Sequence, residues 1–306
     1  MPTGTPYNGH IPPYNNIRID SFSTPTSSGA VDYKSPDLLL LTHTHSDHVQ
    51  GLASKSFGLP LHCSADARTM LLRHESLQER KKNTEPGTHG NRAYAHLESN
   101  IVTGNGKTRF TRKLLESAVE GLVKLMTRYP SHYKFFINSW TWGYEEALIG
   151  VATCFGAKIH VDRYKYDVYT SLSEPIWKEI LTMDPTATRF HACERFDRCS
   201  EVDEDETEDV VYVNPNDMGL AGWHAYQQRA LEEMSRGNFP SALRFGLCRH
   251  SSLPELKALV GLFRPNRVVP NTVYPNMRGA DWANIPHLFR DELPPGAGDR
   301  IWEEMR

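Results

Sequence analysis

The residues best suited to chemistry stand in the stretch 38–52, LLLLTHTHSDHVQGL. Within it His43, His45, Asp47 and His48 form the pattern H-x-H-x-D-H. Imidazole nitrogens with a carboxylate suit zinc and related divalent ions. Residues two apart on an extended backbone point to the same side, so His43 and His45 can grip one ion together. If the chain turns into a helix after Ser46, Asp47 and His48 project from its first turn toward a second ion, substrate or water. A bound ion with an open position activates water and polarises a carbonyl or phosphoryl oxygen, and two ions ~3.5–4 Å apart can stabilise both oxygens of a phosphodiester cleavage. The pattern therefore points to hydrolysis. By itself it does not separate phosphodiesters from amides, thioesters or lactams.

Two further groups carry chemical potential. His250 follows an apolar run and precedes Ser251 and Ser252 at the expected start of a helix, where hydroxyls and N–H groups suit an anion such as phosphate. His191 and Cys193 form H-x-C, and Cys199 follows after five intervening residues; with His160 from a nearby strand they make a compact N/S ligand set for a structural zinc. Buried free cysteines beside surface histidines remain the other reading of that spacing. The segment TGNGKT at 103–108 does not qualify as a phosphate loop, because G-x-x-x-x-G-K-T needs glycine at position 101, where Ile101 stands.

The elements that must position these groups alternate between strand and helix. Strands are predicted at 17–22, 38–42, 59–63, 133–138, 158–161, 188–192, 210–213, 243–248 and 267–270. Helices are predicted from Ala65 through Leu77 with Ser64 as N-cap, over 111–129, over 144–155 closed by Gly156, and over 175–183, 223–234 and 253–263. Such alternation is the signature of a layered α/β fold. The block 201–209, EVDEDETED, self-repels and reads as a solvated loop, and the tail beyond Tyr274 is expected to pack loosely. With 306 residues and a net charge of −3, the chain has no global pull toward nucleic acid, so any DNA-binding surface must be local. No apolar run approaches a membrane span, and the N-terminus lacks the regions of a signal peptide. Five cysteines, an odd number, fit a reducing compartment, cytosol or nucleus, and metal binding rather than disulfides.

Several segments resemble the DNA-repair branch of the metallo-β-lactamase fold, the Artemis and DNA cross-link repair nucleases. They are YNGHIPPYNNIRIDSFS, LTHTHSDHVQGL, LHCSADARTMLL, FFINSWTWGYEEALIGVATCFGAKIHVDRYKYDVY, FHAC and LCRHSSLPELKALVGLFRPNRVVPN, in that order over most of residues 7–273. The resemblance implies an αββα sandwich interrupted by an inserted β-CASP domain. It divides the chain into a truncated metallo-β-lactamase part at 1–110, the insert at 111–208, a return to the first domain at 209–275 and a tail at 276–306. It implies a nuclear enzyme of interstrand cross-link repair or end joining, a 5′–3′ exonuclease or structure-selective endonuclease acting on single-stranded or 5′-phosphorylated DNA. DNA repair proteins are the implied protein partners, and no membrane is involved. His43, His45, Asp47 and His48 become ligands of one or two catalytic zinc ions, with magnesium or manganese as further ions for activity. Asp47 and His250 become catalytic residues, Ser251 and Ser252 phosphate anchors, and His160, His191, Cys193 and Cys199 a structural zinc site.

The departures are specific. The family carries a loop histidine and an aspartate in T-G-D before the helix at Thr111; here His89-Gly90 and Thr103-Gly104-Asn105 are the nearest echoes, and Asn214 stands where a lysine is expected. An internal deletion that removes part of the N-terminal sheet explains both losses, and it leaves the catalytic site two ligands short. The rival expectations are a catalytically dead paralogue that binds DNA or a repair partner, and a glyoxalase-type thioesterase on the same fold.

Overall fold

A computed structural model describes residues 9–11, 13–23, 36–104, 113–203, 209–216, 218–247, 251, 253–269, 276 and 280–304. Contacts divide the chain into two units, Met1–Leu40 with His250–Arg306, and Leu41–Arg249. In the first unit β1 (His10–Ile11) runs antiparallel to β2 (Tyr14–Ile19), which lies parallel to β3 (Leu38–Leu40) with Ile17 opposite Leu38 and Ile19 opposite Leu40. β2 stops at Asp20, whose φ of 54° is left-handed, a region that Asp enters more readily than most side chains. Its N–H donates to Leu40 O at 3.1 Å, which holds the turn against the end of β3.

The second unit begins with β4 (Leu61–Ser64), from which α1 (Ala65–Leu72) starts as its sequence predicts, Ser64 Oγ accepting from the Ala67 N–H at 3.1 Å. One helix through Leu77 was expected. Instead the chain breaks, and Ser76 caps a separate α2 (Leu77–Lys82). The break turns Glu75 fully inside, where Arg163 takes both carboxylate oxygens at 2.6 and 3.1 Å. A helix period read from apolar positions has no means of showing this, because the residue drawn inward is charged. β5 (Ile101–Gly104) then pairs parallel with β4.

From α3 (Lys113–Met126) onward strands and helices alternate: β6 (Lys134–Ile137), α4 (Glu145–Phe155), β7 (Ile159–His160), α5 (Arg163–Tyr169), α6 (Ile176–Ile180), β8 (Leu181–Thr182), β9 (Phe190–His191), β10 (Val210–Asn216), α7 (Leu220–Ser235) and β11 (Ala242–Gly246). The six strands among them form one sheet in the order β11-β10-β6-β9-β7-β8, each neighbouring pair parallel. A parallel sheet is covered on both faces, so its strands are near-continuous apolar runs; Phe135, Phe136 and Ile137 of β6 and Val211 and Val213 of β10 are all buried. Trp177, Trp223, Leu122 and Val151 from the helices complete this core. The molecule is thus mixed α/β with parallel sheet, as its alternation predicts. α5 escaped the sequence pattern, because buried Arg163 and Lys165 sit where a helix reader expects a polar face.

In the first unit α8 (Leu253–Phe263), α9 (Ala280–Ala283), α10 (Ile285–Leu288) and α11 (Ala297–Glu304) follow. The tail does not pack loosely: Ile285, Phe289, Leu293, Ala297 and Ile301 form an apolar cluster with Val260 and Val268 against it. Residues 267–269 take no strand conformation, and Pro270 lies outside the described residues. No helix among the described residues is long and apolar enough to cross a membrane.

Candidate metal centres

His160 and His191 occupy opposing positions on neighbouring parallel strands, β7 and β9. In-register residues of adjacent strands project from the same face, and their Nδ1 atoms stand 3.2 Å apart. Cys193 lies two residues beyond His191 along the same chain direction, which returns it to that face. A loop at 194–198 then brings Cys199 back, 3.9 Å from Cys193 Sγ to Sγ. Cys199 Sγ also lies 3.6 Å from His160 Nδ1 and 3.5 Å from His191 Nδ1. Zn–N and Zn–S bonds of about 2.05 and 2.3 Å give tetrahedral edges of roughly 3.3 Å for N to N, 3.6 Å for N to S and 3.8 Å for S to S. These four separations match four of the six edges. The ligand atoms of His160, Cys193 and Cys199 all lie within 4.8 Å of one another; His191 stands outside that trio, joined to it through His160 and Cys199.

Protonation follows the same geometry. Burial, then the neighbouring His160, push His191 down to about 4, which leaves a neutral imidazole at pH 7. The hydrogen bond from Cys193 to Cys199 raises the first thiol and lowers the second. Neutral imidazole and thiolate are the forms that a zinc site takes. With Nδ1 facing the cluster, the proton of His191 belongs on Nε2, which has no hydrogen-bond partner among the described residues; packing rather than an acceptor holds the ring.

Support comes from a residue that sequence reading passed over. Lys165, 2% exposed, donates from Nζ to the carbonyl oxygens of Ser139, Ala192 and Cys193 at 2.8, 2.7 and 3.1 Å. Asp162 caps α5 and accepts from the Lys165 N–H at 3.0 Å. Lys165 thereby ties α5 to the backbone on either side of the cluster, and Lys134 ties β6 to Glu201 just past Cys199 at 2.5 Å. The available signal was D-R-Y-K, an N-cap followed by a first turn whose two cations the fold buries.

The loop after β3 is built differently. Thr44 is buried and donates to Met70 Sδ at 3.8 Å, so by alternation His43 and His45 share the other side. His43 Nε2 lies 3.1 Å from His45 Nδ1, as expected of a pair that can grip one ion. No helix begins after Ser46. Residues 46–48 form a turn in which the His48 N–H donates to His45 O at 2.9 Å, and this folds the His48 ring back to 3.9 Å from that of His43. Asp47 has its side chain 57% exposed and lies 3.4 Å from His48 Nε2. Three imidazoles thus converge while the carboxylate between them faces solvent.

Of the remaining predicted residues, Ser251 is exposed, and His250 and Ser252 lie outside the described residues. Thr103 and Gly104 end β5, and Asn105 is likewise outside. Asn214 accepts from Asn138 Nδ2 at 2.9 Å where β10 lies beside β6. No family model matches the chain, and no curated protein matches it. Among solved structures, the chain is similar to a crystal structure of a protein of unknown function from Enterococcus faecalis V583, with a TM-score of 0.40 and 11% identity over 78% of this chain and 76% of that one.

Proposed function

We propose that this chain is a zinc-stabilised relative of the metallo-β-lactamase-fold DNA repair nucleases of the Artemis and cross-link-repair type, a metal-dependent phosphodiester hydrolase by descent with an incomplete catalytic centre. One observation carries the reading: of His160, His191, Cys193 and Cys199, the set that the resemblance implies for a structural zinc, three lie within 4.8 Å of one another, and His191 joins them through separations from His160 and Cys199 that suit N/S ligation. In such an enzyme the catalytic ions supply Lewis acidity and an activated water for attack on the phosphodiester. His43 and His45 are the ligands this chain offers for that task, with the His48 ring tilted against that of His43. The exposure of Asp47 and the absence of the T-G-D aspartate cost that centre two carboxylates that the resemblance implies, which favours weak ion binding.

Elemental analysis of the purified protein, paired with an assay on 5′-phosphorylated single-stranded DNA in magnesium or manganese, tests this. Expected are about one tightly held zinc per chain and little cleavage. Absence of tightly held zinc overturns the reading. Two stoichiometric metals with robust cleavage overturn the incomplete centre but keep the nuclease. The solvent-facing Asp47 favours a second reading, a degenerate protein that binds DNA or a repair partner without cutting; retarded migration of intact DNA identifies it.

A further inference from the structure

Apart from both histidine clusters, the second unit contains a cavity of ≈ 260 Å³ whose wall includes Arg68, Arg73, Arg92 and Glu98. Its charges do not cancel. Arg73 and Arg92 share a single carboxylate, Asp167, at 2.8 and 3.3 Å. The other acid near Arg92 is Glu75, but Arg163 occupies both its oxygens. Arg92 Nε stays 3.9 Å from Glu75 and has no hydrogen-bond partner among the described residues. Among the described residues Arg68 is matched only by Glu98, at 3.6 Å and with a side chain 74% exposed, a pair that solvent reduces to little. Two guanidiniums therefore share one acid, and a third is loosely held on the same wall. The hydroxyls of Thr69 and Ser171, also on the wall, donate to Ala65 O and Asp167 O, so the guanidiniums are the donors left to a ligand.

We propose that this cavity binds a small phosphate-bearing anion, a phosphomonoester held by Arg68, Arg73 and Arg92. Planar guanidinium forks match phosphate oxygens bidentately and outcompete a lysine for that geometry. The volume falls just below the range of small-molecule sites, which starts at about 300 Å³, so it admits a phosphate with only a small attached group. A monocarboxylate such as acetate brings one negative charge and two oxygens, and so engages fewer of the three guanidiniums than a dianionic phosphate monoester with three free oxygens.

Calorimetric titration of the full chain at fixed ionic strength tests the site, with inorganic phosphate, a deoxynucleoside 5′-monophosphate and acetate as probes. Phosphate and the monophosphate are expected to bind and acetate is not. Arg68→Gln weakens binding about tenfold, or ~1.4 kcal/mol, with the melting temperature unchanged. Arg73→Gln has the same effect on binding but also strips Asp167 of a partner, so Arg68→Gln is the decisive variant. No binding, equal binding of acetate, or full binding by Arg68→Gln overturns the proposal. An oligonucleotide that gains affinity from a 5′-phosphate, and loses the gain in Arg68→Gln, identifies a strand end as the source of that phosphate; no gain identifies a free small ligand. None of these readouts depends on zinc or on nuclease activity.

Discussion

His160 and His191 project from neighbouring strands of a parallel sheet, are almost wholly buried, and meet two cysteines. His43, His45 and His48 hang from one loop, are partly exposed, and meet one another. The first group draws on sheet register, on the buried ammonium of Lys165 and on the Lys134–Glu201 pair to hold its spacing. The second has a turn hydrogen bond, the anchor of Thr44 and the buried Val49 and Leu52 that follow it. Ligand type and placement agree in each case. A closed N/S set on rigid backbone is what a structural ion needs, and an open imidazole set beside solvent is what an exchangeable ion needs. The comparison teaches that two histidine-rich motifs of one chain can differ in kind because of what the backbone around them is fixed by.

The largest expected effect comes from Cys193→Ala. It removes a candidate ligand that is 2% exposed and, on the proposed zinc site, is predicted to abolish zinc binding and cost roughly 4 kcal/mol or more of stability. A chelator on the unaltered protein reproduces the loss in a denaturant titration. Unchanged zinc content in the variant would sink the distinction between the two clusters. Lys165→Met comes next. It leaves three buried carbonyls without their donor, with an expected loss of about 1–3 kcal/mol and a zinc affinity about 10–100-fold weaker in chelator competition. An intact affinity would mean that the sheet alone sets the ligand spacing.

His43→Ala sharpens the other side. Stability is expected to stay within about 0.5 kcal/mol and the tight zinc to remain, while any second, weakly held ion disappears from equilibrium dialysis. A marked drop in melting temperature would make the loop a structural centre too. The smallest effect is a control outside both clusters. Burial raises Glu145 to about 7 although Gly143 N–H donates to it at 2.8 Å. Because the folded value lies above the unfolded one, its contribution is full below the unfolded value near 4.5 and is lost as pH rises through 7. Glu145→Gln should therefore raise the melting temperature slightly at pH 8 and leave it unchanged at pH 4, with zinc content constant at pH 8. A shift of the reverse sign would contradict the burial argument.

Much of this was legible in residue types and spacing. Ser64 announces the start of α1, Gly156 closes α4 with a left-handed φ of 56°, and the apolar runs of β6 and β10 mark a covered parallel sheet. H-x-H puts two imidazoles on one side of an extended chain, and H-x-C does the same for an imidazole and a thiol, because both depend only on a period of two. What failed were positions where charge is buried. Glu75 splits a helix, and Arg163 and Lys165 disguise one, because each is satisfied by partners that are 88, 88 and 26 or more positions away. The tail was misjudged for a different reason: Ile285, Phe289, Leu293, Ala297 and Ile301 recur at every fourth position, but Pro294, Pro295 and Gly296 interrupt the run, and the Val260 and Val268 packed against it stand upstream in the chain.

The sequence by itself determined which atoms could ligate a metal and which pairs of them share a face, since covalent geometry fixes both. Tertiary structure alone decided that His160 stands opposite His191, that Cys199 returns to within 3.9 Å of Cys193, and that Asp47 turns to solvent. Strand register, loop closure and burial are properties of distant segments packed together, and no local spacing encodes them.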